Sequence, residues 1–161
     1  MNVPVEVVHL LASPLHRYEG RPADGPREAT GAESHASVEV RAGLGIVGDR
    51  YFGHRAHVTS SVTVFAIESL EHVERELGMS LDVADTRRNI VTRGLDIDRM
   101  RGEEFWIGDV RFRAHRPANP CAWMDAALAP GAHRALRGRG GMRCEPLTDG
   151  VLHLGPTLAR L

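Results

Sequence analysis

The chain of 161 residues contains no lysine, so all 20 of its basic Lys or Arg side chains are arginine. Without a lysine amine there is no Schiff-base chemistry and no attachment point for pyridoxal phosphate. Arginine suits forked recognition of phosphate or carboxylate, although the base composition of the source genome accounts equally well for the bias. Cysteine is nearly as scarce. Cys121 and Cys144 stand far apart without CxxC or CxxCH spacing, which excludes a disulfide framework and any readable iron–sulfur, haem or zinc-ribbon site, and fits a reducing compartment. Net charge is also close to balanced, at -1, so the electrostatic footprint of a general nucleic-acid binder is missing. No apolar run approaches the roughly 18 residues that span a membrane. The opening stretch lacks a basic n-region and carries Pro4, Glu6 and His9 within its apolar part, a poor pattern for a signal peptide. A cytoplasmic protein with neither a nucleic-acid nor a membrane partner is expected.

What is present reads as a single domain over 1–161, with a hydrophobic fraction of 42% and a charged fraction of 25% that are near globular averages. Val3 to Leu11 is a β-branched strand, and 12–34, crowded with Pro, Gly, Ser and charge, is a long surface loop. Val38 and Val40 mark a second strand before the glycine-rich GLGIVGDRYFG at 43–53, and Ser61 to Ala66 a third. Ile67, Leu70, Val73 and Leu77 fall at helical spacing, end at Gly78, and predict a core-facing helix that plugs or flanks the rest. Arg88 to Thr92 predicts another strand. EFWIGDVRFRAH predicts a hairpin turning at Gly108 and Asp109. Pro117 and Pro120 precede a short helix over 122–128, RGRGG at 137–141 is a cationic turn, and a last hairpin is drawn through Asp149 and Gly150. Many short strands with few helices predict a mostly β or α+β fold, a small barrel.

The order of the motifs GIVGDRYFG from Gly45, SVTVFAIESLE from Ser61, RRNIVTRG from Arg87, GEEFWIGDVRF from Gly102, NPC at Asn119 and RGG at Arg139 resembles the MOSC domain family, named for the carboxy-terminal domain of molybdenum cofactor sulfurases. The resemblance spans about 38–155. It implies a small, mainly antiparallel β-barrel that binds a molybdenum-pterin cofactor or handles sulfur through a cysteine. In related amidoxime-reducing proteins the cysteine at this place ligates molybdenum, and here that position is Cys121. Two departures stand out. The chain carries no pyridoxal-phosphate desulfurase domain, and it reads GPTL from Gly155 where many relatives have Gly-Asp before a hydrophobic residue.

Cys121 follows Pro120 and precedes the predicted helix, where a thiol ionises more readily and becomes a better nucleophile and soft-metal ligand. Cys144 reads as a packed core thiol. His115, at the end of the strand leading to Cys121, is a candidate to activate it as an imidazolium. Arg87, Arg88 and Asn89 offer guanidinium forks and an amide to a phosphate or a pterin edge. Strand alternation puts Arg87 and Asn89 on one face and Arg88 on the other. Arg137, Arg139, Gly140 and Gly141 have the chemistry of an anion-binding nest, or else a loop needing positive φ. Asp49 and Arg50 are either ligand contacts or a tight turn in which Arg50 packs on Tyr51 or Phe52; the motif lacks the lysine and Ser/Thr of a P-loop. His54, His57, His115 and Cys121 are the one drawable zinc set, at unconvincing spacing.

The leading expectation is a stand-alone domain that binds a molybdenum-pterin cofactor or accepts sulfur at Cys121, as metal ligand or persulfide carrier, and reduces N-hydroxylated substrates with electrons from a separate reductase. A sulfur-donor protein is the partner in the sulfur version. The alternatives are a metal-independent, cysteine-dependent lyase or transferase acting on a small sulfur compound, and a non-catalytic carrier.

Overall fold

The computed structural model describes residues 1–161. Its strands are β1 (Asn2–Leu10), β2 (Ser37–Arg41), β3 (Gly45–Ile46), β4 (Val62–Ala66), β5 (Ile90–Arg93), β6 (Glu104–Ile107), β7 (Val110–Pro117), β8 (Met142–Pro146), β9 (Gly150–His153) and β10 (Gly155–Arg160). The α-helices are α1 (Ile67–Leu77), α2 (Ala122–Ala127) and α3 (Ala132–Ala135). Seven strands close a barrel in the order β1-β10-β6-β7-β8-β4-β5, and β3-β2-β9 form a separate small sheet. The fold is therefore the mainly antiparallel α+β barrel that the sequence implies, with one parallel pair, β4 and β5. A parallel pair needs a crossover, and α1 supplies it.

The barrel interior is packed with apolar side chains, among them Val5, Val7, Val62, Val64, Ile90, Phe105, Phe112, Ala114 and Cys144. Strand β4, VTVFA, is buried at every position, because Phe65 turns outward into a second core with Leu70, Val73, Val91, Met124, Ala132 and Leu136. Burial on both faces replaces alternation with a continuous apolar run. Each such side chain contributes roughly 1.5–3 kcal/mol when fully buried. Helix α1 flanks the barrel through this second core and stops where Gly78 adopts φ 65, a left-handed cap that costs glycine no strain.

Three expectations change. The hairpin through Asp149 and Gly150 does not form: β8 pairs with β4 and β7, whereas β9 pairs with β2. The Asp149 carboxylate accepts the Ala42 N–H at 2.8 Å, so the apparent turn is a crossing between sheets. The fifth strand begins at Ile90, since Arg87 sits at φ 57 as the cap of a 3-10 turn over Val83–Thr86. Third, Ala132–Ala135 forms a helix that the sequence pattern did not indicate. The long loop is tied down at its ends, with Ala12 N–H donating to Glu33 O at 3.0 Å and His35 N–H to Leu10 O at 3.0 Å.

Candidate functional site

Strand β7 runs through Pro117 and the chain then breaks at Asn119 and Pro120 before α2. Cys121 is the N-cap of that helix, in extended backbone (φ -139, ψ -179), and its side chain makes no capping bond. The thiol is exposed. A six-residue helix offers only a weak dipole, so the field at the sulfur comes mainly from the surrounding charges.

Those charges line a cleft of about 240 Å³ that holds Cys121 together with Arg17, Arg50, Arg87, Arg88 and Arg143. No carboxylate lines it. Glu33, behind the wall, meets Arg17 at 3.2 Å and Arg87 at 2.6 Å, and Asp49 meets Arg50 at 3.1 Å. Five guanidiniums against two carboxylates leave the cleft cationic in a chain whose net charge is -1. Burial works against the Glu33 carboxylate, but hydrogen bonds from Ser13 and Arg87 hold it below the usual carboxylate range.

Arg88 differs from its neighbours. Its guanidinium is held by carbonyls alone: Nε donates to Gly140 O at 2.9 Å, Nη2 to Ala118 O at 3.0 Å and Nη1 to Thr86 O at 3.4 Å. Burial, followed by the like charge of Arg143, pushes it down to about 10, while a thiolate at Cys121 pulls it back up. It therefore stays charged at neutral pH, with no carboxylate to neutralise it.

Two ring pairs complete the walls. Tyr18 stacks on Trp123 with centroids 5.1 Å apart and planes 9° apart, its hydroxyl donates to Asp85 O, and burial pushes the phenol up to about 12. His16 meets the edge of Tyr51 at 5.1 Å, and burial, then Arg50, lowers the pKa of its imidazole.

Of the residues singled out in the sequence, the cleft gathers Cys121, Arg87, Arg88 and Arg50. Because Arg87 is left-handed rather than extended, period-two alternation does not reach it, and Arg87 and Arg88 both face the cleft while Asn89 does not. Asn89 is buried as a tie: Oδ1 accepts from Thr63 N at 2.9 Å and Thr63 Oγ1 at 3.1 Å, and Nδ2 donates to Leu11 O at 3.1 Å. Asp49 is likewise buried, accepting the Ser13 N–H at 3.2 Å and supporting Arg50, whose Cζ lies 4.8 Å from the Tyr51 ring centroid. His115 sits where β7 bulges between Ala114 and Arg116. The extra residue re-aims the side chain, and its Nε2 lies 3.3 Å from Glu145 instead of lining the cleft. Arg137 and Arg139 are exposed around a separate recess with Asp96, Asp98 and Arg99. Gly140 and Gly141 are buried at close backbone approaches, where added Cβ atoms would stand 2.1 Å from Ala118 O and 2.3 Å from Val64 O. No group of three or more His, Cys, Asp or Glu side chains is placed to hold a metal, so the set His54, His57, His115 and Cys121 does not assemble. Cys144 is fully buried, and burial pushes its thiol up.

Sequence reasoning missed His16, Arg17, Tyr18, Trp123 and Arg143. Arg143 carried a signal, since Met142 and Cys144 point inward and place it outward on β8. The three loop residues carried none.

The cleft is where separate stretches of sequence meet: GIVGDRYFG brings Arg50 and Tyr51, SVTVFA brings Thr63, RRN brings Arg87 and Arg88, and NPC brings Cys121. The MOSC domain profile matches residues 48–158, which includes every cleft residue just named. The chain belongs to the MOSC domain family. Similar solved structures are the YuaD protein from Bacillus subtilis (TM-score 0.72, 14% identity, 99% of this chain and 95% of that one) and YiiM from Geobacillus stearothermophilus (0.66, 18%, 96% and 73%). YiiM from Escherichia coli follows at 0.56, with 17% identity over 98% of this chain and 69% of that one. At these identities the likeness is one of fold. Among curated proteins none matches the sequence. No helix of this MOSC domain is long and apolar enough to cross a membrane.

Proposed function

We propose that this MOSC domain holds a molybdenum-pterin cofactor in the arginine cleft, with Cys121 as a sulfur ligand to the metal. The observation that carries the reading is one exposed thiol among five guanidiniums with no carboxylate facing it. The donor set fits such a group. A thiolate is a soft ligand that suits a soft or borderline metal, and arginine forks match a terminal phosphate. Tyr18, Trp123 and Tyr51 add aromatic surface to the wall, with Trp123 stacked on Tyr18. At about 240 Å³ the cleft is smaller than the usual 300–1,000 Å³ of a whole ligand site, so it takes the metal-bearing and anionic end. The MOSC family is generally linked to molybdenum cofactor binding, which supports the same choice.

When bound, the group would supply a two-electron redox centre. The residues of the chain do the rest. Arg88 and Arg143 neutralise negative charge, Arg17 and Arg87 are held by Glu33, and Tyr18 and Trp123 fix the mouth. Reduction of an N-hydroxylated compound consumes two electrons and two protons and releases water. The chain shows no flavin fingerprint and has too few cysteines for a cluster, so a separate reductase supplies the electrons.

The test is elemental analysis of protein made in a molybdenum-sufficient host. About one molybdenum and one fluorescent pterin per chain are expected, both lost in Cys121→Ala; folded protein free of both refutes the proposal. The exposure of the thiol favours one second reading, a persulfide carrier without metal. In that case a persulfide donor transfers its outer, sulfane-level sulfur to the Cys121 thiolate and leaves as its own thiolate, so one reducible sulfur atom is added to Cys121, and molybdenum plays no part.

A further inference from the structure

The turn at 137–141 has a task other than binding an anion through its own N–H groups. Gly140 O receives Arg88 Nε at 2.9 Å, and Ala118 O, which receives Arg88 Nη2 at 3.0 Å, is packed against Gly140 so tightly that a Cβ there would stand 2.1 Å from it. The turn and Ala118 are stitched together again by Ala118 N–H donating to Gly141 O at 2.8 Å. The seat of Arg88 is thus one backbone unit. A guanidinium seated on carbonyls keeps its full charge for the cleft, whereas one paired with a carboxylate does not.

One side chain fixes this unit from behind. Asp98, in the 3-10 turn Ile97–Arg99, accepts the Gly141 N–H at Oδ1, 2.8 Å away, and Ser69 Oγ lies 3.5 Å from its Oδ2. Asp98 does not line the cleft. We infer that Asp98 is a positioning residue: by anchoring Gly141 it holds the Gly140 carbonyl in place, keeps Arg88 beside the Cys121 sulfur and so sets the preference of the cleft for anions. This role rests on the reading of the Cys121 cleft as an anion site.

Iodoacetate and iodoacetamide test it. Both alkylate a thiolate by the same displacement, in which sulfur attacks the methylene carbon and iodide leaves, but only the first reagent is an anion. Their rate ratio at Cys121, divided by the ratio for a small free thiol, reads the local charge. Intact-chain mass spectrometry that counts only singly alkylated molecules, with peptide mapping to place the adduct on Cys121 and not on Cys144, which is buried in the folded protein, removes unfolded molecules from the measurement. The normalised ratio is expected to be about five-fold in the parent chain at low salt, and to fall by about half in both Arg88→Met and Asp98→Ala, the other four guanidiniums of the cleft supplying the remainder. Asp98→Asn, whose amide oxygen still accepts the Gly141 N–H, retains most of the preference. A parent ratio that survives in Asp98→Ala but falls in Arg88→Met overturns the role of Asp98 and leaves the anion cleft standing. A ratio of unity in the parent chain overturns both.

Discussion

Replacing Gly140 by alanine tests the architecture of the cleft floor with a single methyl group. The new Cβ would lie 2.1 Å from Ala118 O and 3.2 Å from Pro120 Cδ, and Cβ contacts under 3.0 Å essentially do not occur. The backbone must therefore separate by close to an ångström, which parts the two carbonyls that hold Arg88 at 2.9 and 3.0 Å. Overpacking costs about 1–3 kcal/mol, and the strained or lost bonds to a charged group add about 1.5–3 kcal/mol. The sum, roughly 3–6 kcal/mol, lowers the melting temperature by about 8–20 °C in a chain of this size. Gly138 is the control in the same turn: its φ is 74 and nothing lies within 4 Å of an added Cβ. Alanine there carries only the left-handed penalty of about 1–2 kcal/mol. Thermal unfolding followed by circular dichroism compares the two, and melting points within about 2 °C of each other would refute the close-approach argument.

Glu33→Gln removes the carboxylate that meets Arg87 and Arg17; it should cost about 2–4 kcal/mol, and limited proteolysis should show faster cutting within 12–34. Because the Glu33 carboxyl is held below its ordinary value of 4.5 in the folded chain, its contribution is present above that pH and is lost as the pH falls, so the same loop should become protease-sensitive in acid. Cys144 works in the opposite direction. Burial raises its pKa above the ordinary 9.0, so the folded chain keeps a proton that the unfolded chain releases, and stability is full below about pH 9 and declines above it. Denaturant titrations at pH 9 to 10.5 should show stability falling more steeply with pH in the parent than in Cys144→Ala, by about 0.7 kcal/mol per pH unit at pH 9 and rising to about 1.4 at the upper end; equal slopes would contradict the burial of this thiol. Cys121 should react with a neutral alkylating reagent in the native state, whereas Cys144 should react only after unfolding; peptide mapping checks both.

Local periodicity made most of the barrel legible. Ile67, Leu70, Val73 and Leu77 with Gly78 define α1, and Gly108 with Asp109 defines the β6–β7 hairpin. Partner choice is a long-range matter. Nothing near Asp149 and Gly150 reveals that β9 pairs with β2 across more than a hundred residues, and nothing in RRN reveals that a left-handed Arg87 ends the alternation. In the site, Cys121 and the arginine pair were legible from residue type and motif order. Tyr18, Arg17 and His16 were not, since a loop has no period and the three enter the wall only because the loop is fastened at Glu33 and Asp85. RGG has the chemistry both of a ligand nest and of a turn needing positive φ; the turn forms, with Gly141 at φ 85, while Gly140 and Gly141 serve close backbone approaches and the Gly140 carbonyl holds Arg88.

X-ray absorption at the molybdenum edge tests the central claim most directly, comparing protein loaded with the cofactor in its parent form and as Cys121→Ser, whose hydroxyl oxygen can keep the metal bound where alanine cannot. Direct ligation predicts one sulfur scatterer fewer around the metal in the variant, with Cys144→Ser unchanged from the parent. An identical sulfur shell in parent and Cys121→Ser would show that this thiol does not bind the metal.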